Sequence, residues 1–302
     1  MEISAKVLAD SMNSQGIRFT TFECHYHRYI LPEVNTHRAL SKNGASSRAI
    51  PTEKLVAMCE AELVEPFEWG LDQSGMQAFT HADAELEAVG RAIWNEARRD
   101  AIRHASQLNE LGFAKQIVNR VMEPFLSTRT VLSGTDWRNF ETLRYHKDAQ
   151  PEFRELARCI IEAKAASKPR ILGVGEWHTP YILPEDEERF RLWSKEKDFV
   201  AEIEQVITNR HVWFETDAAL IRCMVSAARA ARASYRTAEG KQTDFVKDLE
   251  LFKRLVVTQP VHASPTEHQA TPYALEKNYM TANLRGFVPF RRLIIGETVH
   301  DE

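Results

Sequence analysis

The sequence predicts a single α/β domain, and three observations carry that prediction. A run rich in β-branched and aromatic residues, Arg18 to Tyr26, reads as a strand. Several stretches between Ala82 and Val257 carry apolar residues at helical spacing. No internal repeat or low-complexity tract divides the 302 residues. A chain of this length can bury a substantial core as one large domain or two modest ones, and one compact domain with helical insertions is the simplest arrangement.

The elements follow in chain order. Phe19, Thr20, Thr21 and Phe22 form the heart of the strand. Pro32 is suited to open a helix carrying Glu33 to Leu40, because its fixed φ matches the first helical position. Ser41 to Pro51 is small and polar, as a binding loop would be. From Ala82 to Leu111, the residues Leu86, Val89, Ile93, Ala97, Ala101, Ile102 and Ala105 recur at helical spacing, and Gly112 supplies a stop. Phe113 to Phe125 is helical as far as Pro124. Asp136 to Leu143 and Pro151 to Ala166 are two further helices, and Lys168 to Pro184 is a loop. Glu185 to Gln205 is a charged helical stretch whose charges suit a solvated face. Ala218 to Ala233 and Phe245 to Val257 are helical, and Leu284 to Ile295 alternates weakly as a last strand would.

Composition excludes several classes of function. A net charge of -4 argues against a nucleic-acid coat, which needs a basic surface to neutralise phosphates. No apolar run approaches the roughly 18–20 residues that span a bilayer, and the first residues lack a signal-peptide pattern, so cytoplasmic residence is expected. Cys24, Cys59, Cys159 and Cys223 form no C-x-x-C pair and read as reduced thiols. His25 and His27 share one strand face, yet no carboxylate follows at ligand spacing, and no metal is expected. In Gly175 to Tyr181, Trp177 and His178 read either as the lining of a ligand entrance or as a packed corner.

Thr36 to Arg48 concentrates the chemistry. His37, Arg38, Ser41, Asn43, Ser46, Ser47 and Arg48 could cradle an anion and a flat ring. Arginine gives paired donors to phosphate or carbonyl oxygens, and a small-residue loop lets backbone N–H groups approach a phosphate. A helix C-terminus with solvated polar residues is the plainer alternative.

This stretch resembles the R-H-R-x-x-S-x-N-E-x-S-x-R run of the flavin-dependent thymidylate synthases. His262 to His268 (H-A-S-P-T-E-H) resembles the same family's H-x-S-P-F-E-H run. Asn119 to Pro124 is similar to A-R-x-x-L-P, Asn139 to Arg144 to N-F-x-x-L-R, and Ala230 to Tyr235 to A-A-R-V-S-Y. In the family the H-x-S-P-F-E-H run precedes the R-H-R run, whereas here it lies near the other end of the chain. The resemblance therefore implies a circularly permuted member, a rearrangement that is tolerated when termini lie close together at the surface. It implies one α/β domain with a central mixed or antiparallel sheet and several helices. Residues 17–166 would bear nucleotide and flavin motifs, 183–217 would be a helical insertion, and 218–297 would complete the flavin site.

Roles follow from the same resemblance. His37, Arg38, Asn43, Asn139, Ser234 and His268 would contact FAD. Ser46, Ser47, Arg48 and Arg120 would hold a deoxypyrimidine monophosphate, and Arg144 would lie against the pyrimidine and promote its ionisation. The implied reaction is reductive methylation of dUMP to dTMP with FAD, NADPH and methylenetetrahydrofolate in a homotetramer. The unrelated cysteine-dependent synthases use a thiolate in a Pro-Cys-His setting, which none of the four cysteines has. Thr36 replaces the family's first Arg, Gly44 its Glu, and Glu33 a usual Gln, while Ser133-Gly134-Thr135 stands near the position of a flavin-binding N-A-R. These departures leave open a relative that methylates or hydroxymethylates another pyrimidine nucleotide, dUMP or dCMP. A non-catalytic nucleotide-binding protein is the third reading.

Overall fold

Two antiparallel strands organise the architecture. β1 (Ser4–Asn13) and β2 (Arg18–His27) pair along their length with one bulge between Val7 and Ala9. The turn between them is closed by Asn13, whose side-chain oxygen accepts from the N–H groups of Gln15 and Ile17, and by Gly16 at φ 77°. The computed structural model describes residues 1–232, 244–273 and 280–296. Ser234 lies outside the described residues.

The chain then makes α1 (Leu31–Asn35), β3 (Ser41–Gly44), α2 (Thr52–Ala61) and α3 (Ala84–Glu110). α4 (Lys115–Val118) leads through a 3-10 segment, Asn119–Phe125, into β4 (Ser127–Gly134). α5 (Arg138–Arg144), α6 (Pro151–Ala166) and β5 (Arg170–Leu172) complete the first half. The second half holds α7 (Asp186–Trp193), α8 (Lys197–Glu204), α9 (Arg210–Trp213), α10 (Asp217–Arg232) and α11 (Phe245–Val256). A 3-10 turn, Ser264–Glu267, precedes β6 (Ala270–Pro272), β7 (Met280–Thr281), β8 (Leu284–Arg285) and β9 (Phe287–Pro289).

The main sheet has the order β3-β4-β2-β1-β5, with β5 parallel to β1 and the other pairs antiparallel, so it is mixed. Its two faces differ because side chains alternate along each strand. Phe22, Cys24 and Tyr26 of β2 join Leu132 of β4, Trp137, and Phe153, Leu156 and Ile160 of α6 in one core. The opposite face carries Thr21 and Ser133 and is covered by the C-terminal half, where Val131 packs with Ala230 of α10. A separate, larger core joins α7, α8, α10 and α11. Within it, Arg229 is almost fully buried and reaches Asp186 of α7 and Asp248 of α11. A buried charge persists only when partners compensate its lost hydration, so this cluster fixes how the three helices meet.

Several expected elements differ. The helix opened by Pro32 ends at Asn35, and the first part of the expected loop is strand β3. Ser-Lys-Asn-Gly has little strand propensity; it pairs because β4 presents an open edge. The charged stretch breaks at Ser194–Glu196 into α7 and α8; Glu188, Arg189, Arg191, Lys197 and Asp198 form the expected solvated face, while Phe190, Val200 and Ile203 are buried on the other side. Leu284 to Ile295 is not one strand. Gly286 sits at φ 65° with the Asn13 and Ile17 side chains where a Cβ would be, and the chain turns there. Trp177 and His178 form a packed corner: Trp177 stacks on Phe214 at 4.6 Å between ring centres. Helix α3 spans the predicted residues, yet Leu86, Val89 and Ile93 are half exposed or more, and only its C-terminal half (Ala101, Ala105) is buried.

Candidate functional site

The two halves of the split signature meet at the edge of the sheet. β3, from the first run, lies against the 3-10 turn Ser264–Glu267 of the second. The Asn43 amide nitrogen donates to the Ala230 carbonyl at 2.8 Å, which joins β3 to the end of α10. On β4, beside Ser41 in register, Ser133 Oγ lies 2.7 Å from His268 Nδ1. Three segments far apart in sequence thus share one strand edge.

On one side of β3, α5 brings Arg144 onto His37. Arg144 Nε donates to His37 Nε2 at 2.7 Å, and the guanidinium carbon lies 4.5 Å from the centre of the Phe153 ring. Arg144 Nη2 lies 3.4 Å from the Thr36 hydroxyl. Burial, together with the charges of Arg144 and Lys42, lowers the His37 pKa to about 4. The ring is therefore neutral at physiological pH, and its Nε2 can accept. Lys42 Nζ donates to the carbonyls of His37 and Leu40, and burial lowers its pKa. Among the described residues Arg144 forms no ion pair, so its charge is held by a neutral ring and an aromatic face.

On the other side, Glu123 gathers the loop after β3. It accepts from Ser47 Oγ at 2.5 Å, Arg120 Nη1 at 2.8 Å and Arg28 Nη2 at 3.1 Å. Burial alone would raise the Glu123 pKa, but the Ser47 hydrogen bond and the two arginines hold it below the usual value. Asn119 is fully buried, donates to the carbonyls of Ser47 and Ile50, and accepts from the Thr52 hydroxyl. Residues 46–48 are thereby held in one shape, with Ser46 and Arg48 exposed and Ser47 turned inward. Replacing Asn119 with alanine leaves two buried carbonyls and a hydroxyl without partners. A loss of about 2 kcal/mol of stability is expected. Unchanged thermal melting would show that the loop is held by other contacts.

The predicted residues are thus placed unevenly. His37 and Arg144 meet beside β3, which carries Asn43; Ser47 and Arg120 bond to Glu123, and Ser46 and Arg48 are exposed on either side of Ser47. Arg38 and Asn139 are exposed. His268 is buried, and its Nε2 has no partner among the described residues. Glu123, Arg28, Asn119 and Lys42 were given no role by sequence reasoning. Asn119 and Glu123 flank Arg120 in the quoted segment, but nothing in one sequence tells a residue that binds a loop from one that binds a ligand.

The site also meets a chemical requirement of phosphate-bearing ligands. Arg38 and Arg48 form no ion pair among the described residues, and both are exposed beside β3. An uncompensated guanidinium is a ready partner for phosphate oxygens. None of the cysteines is a comparable nucleophile. Burial pushes the thiols of Cys59 and Cys159 up to about 11 and raises those of Cys24 and Cys223 well above their ordinary value.

The fold is similar to solved structures, among them two of one enzyme. Crystal structures of PolB, a UMP/dUMP methylase from Streptomyces cacaoi, bound with 5-Br UMP and with 5-Br dUMP, align with TM-scores of 0.43 and 0.44. Identity is 14% and 15%, over 54% of this chain and 89% and 90% of the methylase chains. No family model and no curated protein matches the sequence.

Proposed function

We propose that this protein is a circularly permuted, flavin-dependent thymidylate synthase-like enzyme that methylates dUMP at C5. The observation that carries the reading is the meeting of the first and last signature runs at β3, through Asn43 to Ala230 and Ser133 to His268. Contact between these segments is what a permuted site requires. The same reading makes 183–217 an insertion and the assembly a homotetramer.

When bound, FAD reduced by NADPH supplies the hydride, and methylenetetrahydrofolate supplies the one-carbon unit. Arg38 and the exposed polar groups beside β3 would hold the flavin, and Ser46, Arg48 and Arg120 the nucleotide phosphate. Arg144 does the activating. His37 accepts from Nε and Phe153 lies beneath the guanidinium, so a planar pair of acceptors can meet Nη1 and Nη2, displacing only the long 3.4 Å contact of Nη2 with the Thr36 hydroxyl. Negative charge developing on the pyrimidine N3 and O4 is stabilised there by a fixed, permanent cation. The neutral His37 orients this cation without repelling it.

A second reading rests on Gly44. A Cβ at this position would lie 3.3 Å from the Thr130 hydroxyl oxygen, so a Glu there would crowd β4. A ligand contact of the family is therefore missing, which suits a relative acting on dCMP or transferring a hydroxymethyl group. Mass spectrometry of products from dUMP or dCMP, with FAD, NADPH and methylenetetrahydrofolate supplied, separates the two. A mass gain of one methyl group on dUMP alone is expected, and no product from either nucleotide would overturn both readings.

The raised thiol pKa values lead to a further expectation. Replacing all four cysteines with serine or alanine should leave activity within about tenfold in a folded protein, because none of them is a thiolate at neutral pH. One cysteine as indispensable as Arg144 would refute the cysteine-free route.

A further inference from the structure

We propose that Ser11, His178, Thr21 and Ser133 form one directional hydrogen-bond chain that holds His268 in its Nδ1–H tautomer, so that its Nε2 accepts from a ligand N–H or O–H group. The chain crosses the sheet beneath the site. Ser11 Oγ lies 2.9 Å from His178 Nδ1, and His178 Nε2 lies 2.8 Å from Thr21 Oγ1. Thr21 Oγ1 lies 2.8 Å from Ser133 Oγ, which lies 2.7 Å from His268 Nδ1. All five side chains are buried, and among the described residues His268 Nε2 is the one ring nitrogen of the two histidines without a partner.

Donor and acceptor capacity restricts the chain to two polarities. Both histidines are neutral, their pKa values lowered to about 3 by burial, so each carries one ring proton. Each linking hydroxyl has one proton. If it accepted from both sides, that proton would be buried without an acceptor, so each must donate one way and accept the other. In the first polarity Ser11 donates to His178 and the direction runs outward, leaving a buried His268 Nε2–H with no acceptor. In the second, His268 Nδ1–H donates to Ser133, Ser133 to Thr21, Thr21 to His178 Nε2, and His178 Nδ1–H to Ser11. Orphaned buried N–H groups are rarer than under-used acceptors, and Ser11 retains 3% exposure for its own proton while His268 has none. The second polarity is therefore favoured.

The backbone fixes these positions independently of the chain. His178 N–H donates to the Ala270 carbonyl at 2.8 Å, the Ala270 N–H returns to the His178 carbonyl, and Phe19 packs on the His178 ring at 4.2 Å. Asp10 of β1, Arg170 of β5 and His268 are the charged or titratable groups that act on His178. Side-chain changes in the chain should thus alter polarity before they alter the fold.

Long-range 1H–15N spectra of 15N-histidine-labelled protein, assigned with His268→Gln and His178→Gln, read the tautomers directly. In the unsubstituted protein both rings should be Nδ1–H; opposite tautomers, or Nε2–H at His268, would overturn the proposal without any variant. Ser11→Ala removes the last acceptor, so each polarity then leaves one orphan N–H. The Nε2–H form of His268 should rise from minor to comparable population, although Ser11 touches His178 and not His268. In a Thr21→Val background the same change should have no effect at His268. An unmoved His268 signal in Ser11→Ala, or an equal movement in both backgrounds, sinks the coupling. A second arm rests on the function proposed above: adding dUMP or FAD should shift His268 Nε2 as a nitrogen that has gained a donor, while Nδ1 stays protonated. Conversion to Nε2–H, or no shift with either ligand, refutes the ligand part alone.

Discussion

Arg144→Ala is expected to lower turnover by 100- to 1000-fold, or roughly 3–4 kcal/mol, the usual cost of removing one donor aimed at charge that develops in the transition state. The side chain is half-buried and forms no ion pair among the described residues, so the fold should change little, and on the function proposed above flavin binding should persist. Arg144→Lys should not rescue. Lysine places a compact charge where a planar group now sits over Phe153 and donates its Nε–H to His37, and it cannot make the paired contact. His37→Gln should have a smaller effect, because an amide oxygen can still accept from Nε. Single-turnover kinetics with a folded, flavin-loaded variant check this. A turnover loss below about tenfold for Arg144→Ala would remove Arg144 from the chemistry.

Acid should destabilise the protein steeply between about pH 6.5 and 4. Burial is the largest cause of lowered pKa values at His27 and His37, to about 4, and at His178 and His268, to about 3. In the unfolded chain each protonates near its ordinary value of 6.5. Below that pH the unfolded state binds protons that the folded state refuses, so stability falls as pH drops, and it stops falling only below the folded values. Each histidine contributes up to about 1.4 kcal/mol per pH unit, and four approach about 5 kcal/mol per unit. Carboxylates held below their usual values, such as Glu62 and Glu123, add their own loss chiefly below about pH 4.5. Urea unfolding at a series of pH values measures the slope as protons taken up. A flat profile from pH 6.5 to 4.5 would show that these rings are protonated in the folded protein.

Much of the helical framework was legible because long helices repeat one signal many times. α6, α10 and α11 lie where apolar spacing put them, since Phe153, Leu156 and Ile160, or Leu249, Phe252 and Val256, mark a buried stripe. The sheet was far less legible. Only β2 was predicted, because β1 carries Ala, Lys, Asp and Ser and is held by partners on both edges, not by its own propensity. β3 and β4 mark themselves no better. The candidate site shows the same division. Arg144, His37 and Ser47 could be named from their motif, but their present partners, Phe153, Thr36 and Glu123, could not. Contacts between residues far apart in sequence leave no local pattern to read.

The meeting of β3 with the Ser264–Glu267 turn has a consequence for synthesis on the ribosome. β3 ends at Gly44, and the turn that covers it begins at Ser264. At the usual 5–20 residues per second, roughly ten to forty seconds separate the two. For that interval the strand edge can pair with β4 but lacks its outer cover, and an open edge is a template for another chain. Nascent chains arrested before residue 264 should therefore associate with one another or with a holdase, and synthesis on through the Ser264–Glu267 turn should end that association.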